Sequence, residues 1–405
     1  MNEIRSNLDG QAHWRSALMD NYGTPGLTLV RGEGARVWDA DGREYVDLLG
    51  GIAVNALGHA HPEVVRAVTE QIATMGHISN LYINPVAVEF AEALLDVAGL
   101  AGHGDGEAKG RVLFVNSGAE ANEAALKITR RTGRTKVIAC EGAFHGRTMG
   151  ALALTGQPSK REPFEPLVPG VVHVPFGDVD ALSSVVDSDT AAVVLEPILG
   201  EAGVIPAPDG YLQAAREITR RAGAMLVLDE VQTGFARTGV WFAFQRAGIM
   251  PDVITLAKGL GGGLPLGAVI GVGEAGDLLK PGQHGTTFGG NPVCCAAGLA
   301  VLRAIARDNL NDHVAALGKD ISNGVEELRH PLVSGVRGAG LLIGITLREA
   351  VAPAVAKAVE RAGYLVNPVA PDAIRLAPPL ILTHEQAEGF LDALPAALDS
   401  AKKGE

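Results

Sequence analysis

The segment MLVLDEVQTGFARTGVWFAFQRAGIMPDVITLAKGLGGG spans residues 225–263. It holds two short apolar runs that each end in charge, Met225 to Leu228 at Asp229 and Glu230, and Val253 to Ala257 at Lys258. Runs of this length, leucine-rich or β-branched and closed by turn residues, predict buried strands of a mainly parallel sheet. Ligands of such sheets sit beyond the carboxyl ends of the strands, so Asp229 and Lys258 are expected at one rim. From Val253 to Gly273, Lys258 is the only charged residue and stands among seven glycines. An amine in apolar surroundings gives up its proton more readily, and the neutral amine attacks carbonyls. Lysine and carboxylate together at a sheet edge predict a Schiff-base site. Taken singly, each has a plainer reading: a lysine in a glycine-rich loop is commonly solvated, and an Asp-Glu pair commonly opens a turn.

Pyridoxal phosphate requires a lysine for its carbonyl, a carboxylate that keeps its ring nitrogen protonated, and a cradle for its phosphate. The cradle is sought in RVLFVNSGAEANEAALKITRR, residues 111–131, which predicts a strand, a turn and a long helix. Ser117 and Glu120 match the S-x-x-E capping box, which by itself only starts a helix well. Ser117, Gly118 and Ala119 also bring free N–H groups and the positive helix end together after a strand, as phosphate sites do.

Composition bounds the alternatives. The 405 residues suffice for a large domain and a smaller one, and 52 glycines, about twice the usual share, fit many βα turns. A formal charge of −12 without long charge runs argues against non-specific nucleic-acid binding. No apolar run has the length of a membrane span, and the start, MNEIRSNLDGQAHW, has no apolar signal core, so a cytoplasmic protein is expected. Cys140, Cys294 and Cys295 form no CxxC pair and read as buried thiols of a reducing compartment.

Asp41-Gly42 between Val37–Asp39 and Glu44–Leu48 predicts a hairpin in residues 1–60, the first part of a small domain. His59 and His61 precede Pro62 at a helix entry, and no further metal ligands follow at a recognisable spacing. Helical spacing covers Pro62 to Met75 and Pro85 to Leu100, and AGHGDGEAKG reads as a surface loop. After the strand KVIAC comes EGAFHGRTMG, where Phe144 or His145 suits a flat heterocycle and the planar fork of Arg147 suits a carboxylate. The strand AAVVLEPILGEAGV carries Glu196 and Glu201 at its end. Gly271, Gly273 and Gly276 satisfy G-x-G-x-x-G, but no acidic residue lies between Leu278 and Arg307 to hold a ribose, which argues against a dinucleotide oxidoreductase. HGTTFGGNP offers Thr286 and Thr287 ahead of a helix, and Arg375 stands among apolar residues in IRLAPPL. Residues 310–405 are expected to complete the small domain around the strand GLLIGITL, leaving 61–309 as the large one.

With DADGREYVDLLGGIAVNALGHAHP, NSGAEANEAALK, FHGRT, LDEVQTGFARTG, LAKGLGGGLPLGA, HGTTFGGNP and IRLAPPL in this order, the chain resembles the class III, pyridoxal-phosphate-dependent aminotransferases of fold type I. The resemblance runs nearly the whole length. It implies an α/β fold: a large domain with a mainly parallel seven-stranded sheet flanked by helices, plus a smaller α+β domain from both chain ends. It implies that Lys258 carries the cofactor and moves the substrate proton, that Asp229 faces the ring nitrogen and that Gln232 contacts the phenolic oxygen. Ser117, Gly118 and Ala119 would hold the phosphate, Phe144 would stack on the ring and His145 would lie near it. Thr287 would reach the phosphate of a neighbouring subunit's cofactor, so a homodimer with its site at the interface is implied. Arg147 would bind the substrate α-carboxylate with Thr286 close by, and Glu201 would mask Arg375 in one half-reaction and release it in the other.

The implied reaction is ping-pong transfer of the δ-amino group between N2-acetyl-L-ornithine and 2-oxoglutarate, a step of arginine biosynthesis, with ornithine, 4-aminobutyrate and succinyldiaminopimelate as alternative donors. An inactive binding relative is the reading from another class, and the intact Lys258, Asp229 and Gln232 argue against it. Relatives often read QGEGG where this chain has Leu199-Gly200-Glu201-Ala202-Gly203. An amide is missing there and one glycine is alanine.

Overall fold

The computed structural model describes residues 4–102 and 109–402. Most of the AGHGDGEAKG loop lies outside the described residues. The core is a seven-stranded sheet in the order Gly110–Val115, Gly267–Val272, Val253–Leu256, Met225–Asp229, Thr190–Leu195, Lys136–Cys140, Val171–Val174. Only Gly267–Val272 runs against its neighbours. The four residues of Val253–Leu256 and the six of Thr190–Leu195 are all buried, because helices cover both faces. Alternation sorts their side chains. Val227, Val253 and Val269 pack under Ala121, Ala124, Ala125 and Ile128 of the helix Gly118–Arg130. Leu226, Leu228, Ile254 and Ile270 point the other way, into the cluster built with Pro292–Arg307, Pro85–Val97 and Tyr211–Ala222.

Of the glycine triplet, Gly271 belongs to the antiparallel strand and Gly273 opens a 3-10 turn, Gly273–Asp277. The long helix that a dinucleotide fingerprint opens is not formed there.

Both chain ends meet. Leu29–Glu33, Arg36–Asp39 and Glu44–Asp47 form an antiparallel sheet around Asp41-Gly42, and Tyr364–Leu365 pairs in parallel with Glu44–Asp47. His59 is engaged here, its Nε2 lying 3.0 Å from Asp47 Oδ2. A second antiparallel sheet follows the order Val333–Ala339, Leu342–Leu347, Ala373–Leu376, Asn367–Ala370. The carboxyl-terminal region therefore contributes strands as well as the helices expected around GLLIGITL.

The segment leaving Asp229 ties the sheet to this region. Glu230 is buried and takes hydrogen bonds from Thr233 Oγ1 at 2.5 Å, Ala243 N at 3.0 Å and Phe244 N at 2.8 Å, which closes the turn-rich stretch 231–242 on itself. Arg237, also buried, donates to the carbonyls of Leu341 at 3.2 Å and Pro378 at 2.5 Å. One loop thus fixes Asp229 at the sheet edge and carries the strand of Arg375 to it.

Burial pushes the Glu230 carboxyl from 4.5 up to about 7 in spite of its three donors. The native chain then holds a proton that the unfolded chain releases between those values. This contribution to stability is complete below about 4.5 and is lost as pH rises through about 7. Glu230→Gln cannot release that proton. In urea titrations from pH 4.5 to 8, the unfolding free energy of the unsubstituted protein should fall relative to the variant as pH rises; a difference that stays flat or climbs contradicts the burial argument.

Candidate active site

The strands ending at Val115, Leu195, Asp229 and Leu256 deliver their next residues to one side of the sheet. There a cavity of about 470 Å³ is lined by Ser117, Gly118, Ala119, Phe144, His145, Arg147, Asp229, Gln232 and Lys258, with Glu196, Asn116, Asn122 and the Gly263–Leu266 segment. Asp229 and Lys258 share this rim, as their strands require.

Lys258 opens the 3-10 turn Lys258–Gly261 with φ +50, a left-handed conformation that costs a residue with a side chain about 1–3 kcal/mol. Val253–Leu256 and the following glycine run hold it there. Among the described residues its amine has only longer-range charges for company. Burial lowers its pKa, Arg375 lowers it further, and Glu201, Glu196 and Asp229 pull it back up. An amine so placed exchanges protons and forms bonds to carbonyl carbon more readily than a solvated lysine.

Asp229 is 3% exposed and fully engaged. Its Oδ2 accepts from Asn122 Nδ2 at 2.7 Å and lies 2.7 Å from His145 Nδ1, while Oδ1 accepts from Val231 N at 3.0 Å. His145 is buried as well. Burial alone would push its imidazole down, but the bond to Asp229 and the charges of Asp229 and Glu196 outweigh it and leave it raised. Among the described residues its Nε2 has no partner. Asn122 donates also to the His145 carbonyl at 2.8 Å and accepts from Thr255 Oγ1 at 3.1 Å, so one amide braces a helix, two strand ends and the FHG turn. That turn is pressed close: at Gly146, φ +138, a Cβ would come within 2.8 Å of Ala119 Cβ.

The helix Gly118–Arg130 begins with Ser117 Oγ accepting from Glu120 N at 3.1 Å. Only half of the predicted capping box forms. The Glu120 carboxylate instead takes Asn116 N at 3.0 Å and Asn116 Nδ2 at 2.9 Å. The amides of Gly118 and Ala119 have no acceptor within the helix and border the cavity.

A second cluster stands beside the first. Arg375 is 1% exposed and its Nη1 donates to Glu201 Oε1 at 2.6 Å, Gln232 Oε1 at 3.0 Å and the Gly200 carbonyl at 3.2 Å, while Nη2 donates to Asn367 Oδ1 at 2.8 Å. Its Nε is buried without a partner among the described residues. Burial would raise the Glu201 carboxyl, but the charge and bond of Arg375 hold it below its ordinary value, with Lys258 and Lys160 adding to the effect. Glu201 rides the tip between Ile198–Leu199 and Ile205–Pro206, which pair antiparallel. Leu199, where relatives carry an amide, is buried in the core, and Gly200 lies so close to Gln232 that a Cβ would fall 2.3 Å from Gln232 Oε1.

Glu201, Arg375, Thr286 and Thr287 lie outside the cavity lining. Thr286 accepts from Asn116 Nδ2 at 3.0 Å, whereas Thr287 is exposed. Asn122, Asn116 and the structural role of Glu196 are absent from the sequence reading. A lone amide on the alanine-rich face of residues 121–125 was the available signal for Asn122. Glu196 accepts from Phe144 N at 2.9 Å and Gly200 N at 3.2 Å, joining the two turns that flank the cavity, and burial pushes its carboxyl well above its ordinary value.

The family model described as aminotransferase class-III matches residues 19–398. An acetylornithine aminotransferase of Mycolicibacterium smegmatis is 62% identical over 96% of this chain and 98% of its own. Among solved structures, the ornithine aminotransferase of Toxoplasma gondii ME49 superposes with a TM-score of 0.93 at 31% identity, covering 100% of this chain and 97% of that one. An acetylornithine aminotransferase from Elizabethkingia anophelis superposes at 0.84 and 32% identity, covering 97% of this chain and 98% of its own.

Proposed function

Because this chain belongs to the class-III aminotransferases, we propose that it is a pyridoxal-phosphate-dependent enzyme moving the δ-amino group between N2-acetyl-L-ornithine and 2-oxoglutarate, giving N-acetyl-L-glutamate 5-semialdehyde and L-glutamate. The observation that carries the chemistry is the meeting of Lys258, Asp229 and the Ser117–Ala119 helix start in one cavity. These residues fit the cofactor. Free amides suit a phosphate, a buried carboxylate suits a protonated ring nitrogen, and Phe144 supplies a flat apolar wall. Bound there, pyridoxal phosphate would supply an electron sink that lets an amine's α-proton leave.

The chain's own part follows. Lys258 Nζ would hold the cofactor through its carbonyl carbon and, when free, would carry the proton that leaves the substrate's reacting carbon. The Asp229 carboxylate, fixed by Asn122, His145 and Val231 N, would sit toward the ring nitrogen and oppose its loss of a proton. Gln232 would contact the phenolic oxygen, and Arg147 with Thr286 would receive the donor's carboxylate end.

Donor and acceptor make opposite demands on one site. The reacting carbon of the first carries only hydrogens where that of the second carries a carboxylate. Glu201 on Arg375 presents a neutralised pair to the former, and its release exposes the guanidinium to the latter. We assign arginine biosynthesis as the setting and the cytoplasm as the place; no described helix is long and apolar enough to cross a membrane. The parallel pairing of Tyr364–Leu365 with Glu44–Asp47 supports a small domain from residues 1–60 and 310–405 around a large one, 61–309.

A homodimer is supported by an apolar surface that a monomer would leave in water. Leu81, Tyr82, Ile83 and Phe288 are 86, 69, 83 and 60% exposed. Asn80 Nδ2 donates to the Gly289 carbonyl at 2.8 Å, so this patch adjoins the Thr286–Thr287 loop.

Two experiments test these assignments. In single-turnover assays, N2-acetylornithine should outpace ornithine, 4-aminobutyrate and N-succinyl-diaminopimelate, and Arg375→Ala should slow the 2-oxoglutarate half-reaction by about 100-fold while slowing the acetylornithine half far less. Equal losses in both halves refute the Glu201–Arg375 switch, and a different preferred donor reassigns the substrate. In sedimentation runs, a Leu81→Glu/Ile83→Glu variant should be monomeric and inactive; a fully active monomer removes the dimer.

A further inference from the structure

Two cations share one aromatic ring that lines the cavity. Arg147 Cζ lies 5.6 Å from the Phe144 ring centroid and Lys160 Nζ lies 5.1 Å from it. The two charges are therefore no more than about 11 Å apart. Among the described residues, neither forms an ion pair with a carboxylate. Lys160 donates to Gln157 Oε1, a neutral acceptor, and Gln157 Nε2 is itself held by the Gly142 carbonyl at 3.0 Å. The lysine is half-buried in the short helix Pro158–Arg161, and its stem is set by this tether.

Two like charges gathered without a counter-ion repel one another, and the ring face compensates each only in part. The ring is no neutral bystander. Phe144 and Arg147 both line the cavity, and Lys160, outside the lining, holds its charge against the same ring. Burial lowers the Lys160 pKa, Glu201 opposes this and Arg147 and Arg375 add to it. An added anion at this point would relieve that cost.

We propose that Lys160 is a specificity-determining residue, which together with Arg147 seats the donor's non-reacting carboxylate across the Phe144 ring. This rests on the reading of the cavity as an ω-amine transferase site whose donor enters amine first, carboxylate outermost. Lys160 positions and selects; it does not touch the reacting carbon. A donor with the same reacting end and acylated far end but no carboxylate draws nothing from the seat.

N-acetyl-1,4-diaminobutane is that donor, being N2-acetylornithine without its carboxylate. On the holoenzyme, kcat and KM are measured for both compounds in the unsubstituted protein, Lys160→Gln, Lys160→Arg and Arg147→Gln. Lys160→Gln should raise KM for N2-acetylornithine about tenfold with a much smaller change in kcat, and lower the preference between the two donors by about the same factor. Lys160→Arg should recover most of the preference. If Lys160→Gln slows both donors alike, Lys160 only supports the fold and the proposal falls. If Arg147→Gln destroys the preference and Lys160→Gln leaves it intact, the carboxylate seat stands on Arg147 alone and Lys160 is excluded from it. If the unsubstituted protein shows no preference, the orientation of the donor is wrong and the seat falls with it.

Discussion

The buried charge of Asp229 is the constraint on which the site depends. At 3% exposure its carboxylate must take from the protein the hydrogen bonds that water would have given it, and Asn122, His145 and the Val231 amide supply them. Each donor comes from a different part of the chain. Satisfying one charge therefore locks the helix Gly118–Arg130, the FHG turn and the exit of the strand Met225–Asp229 into a single arrangement. Asn122, His145 and Asp229 all line the cavity.

Around this fixed charge the remaining groups divide into two kinds. Lys258 is kept reactive by what it lacks, a hydrogen-bonded partner and full access to water. Arg375 is kept quiet by what it has, a carboxylate, an amide and a carbonyl on one Nη1. The contrast suits an enzyme that uses one cation as a reagent and holds another in reserve. Glu196, buried between the amides of Phe144 and Gly200, couples the aromatic wall to the loop of Glu201.

Much of this was legible in the sequence because the signals are local. Apolar runs closed by Asp229 and Lys258, the Ser117 cap and the Asp41-Gly42 turn each follow from short-range rules of period and turn chemistry, and the strands Met225–Asp229 and Val253–Leu256 and the helix Gly118–Arg130 lie where those rules put them. What stayed hidden depends on distant pairs. Asn122 to Asp229 joins residues 107 positions apart, and Arg375 to Glu201 joins residues 174 apart. Nothing in the spacing of Asn122 separates it from a solvated helix residue, and Glu120 chose Asn116 over its expected cap partner because that amide and side chain both point at it. Arg375 stands out in the sequence as a charge among apolar residues, but of its partners the family resemblance implies only Glu201, and Gln232, Asn367 and the Gly200 carbonyl emerge from the fold.

The account stands or falls on which amine takes the cofactor's carbonyl. Borohydride reduction of the purified protein in pyridoxal phosphate, followed by proteolysis and mass mapping, fixes that bond irreversibly. The account predicts one labelled peptide, spanning Lys258, and no label in Lys258→Ala. Label on another lysine, or full activity in a protein that takes no label, would contradict it.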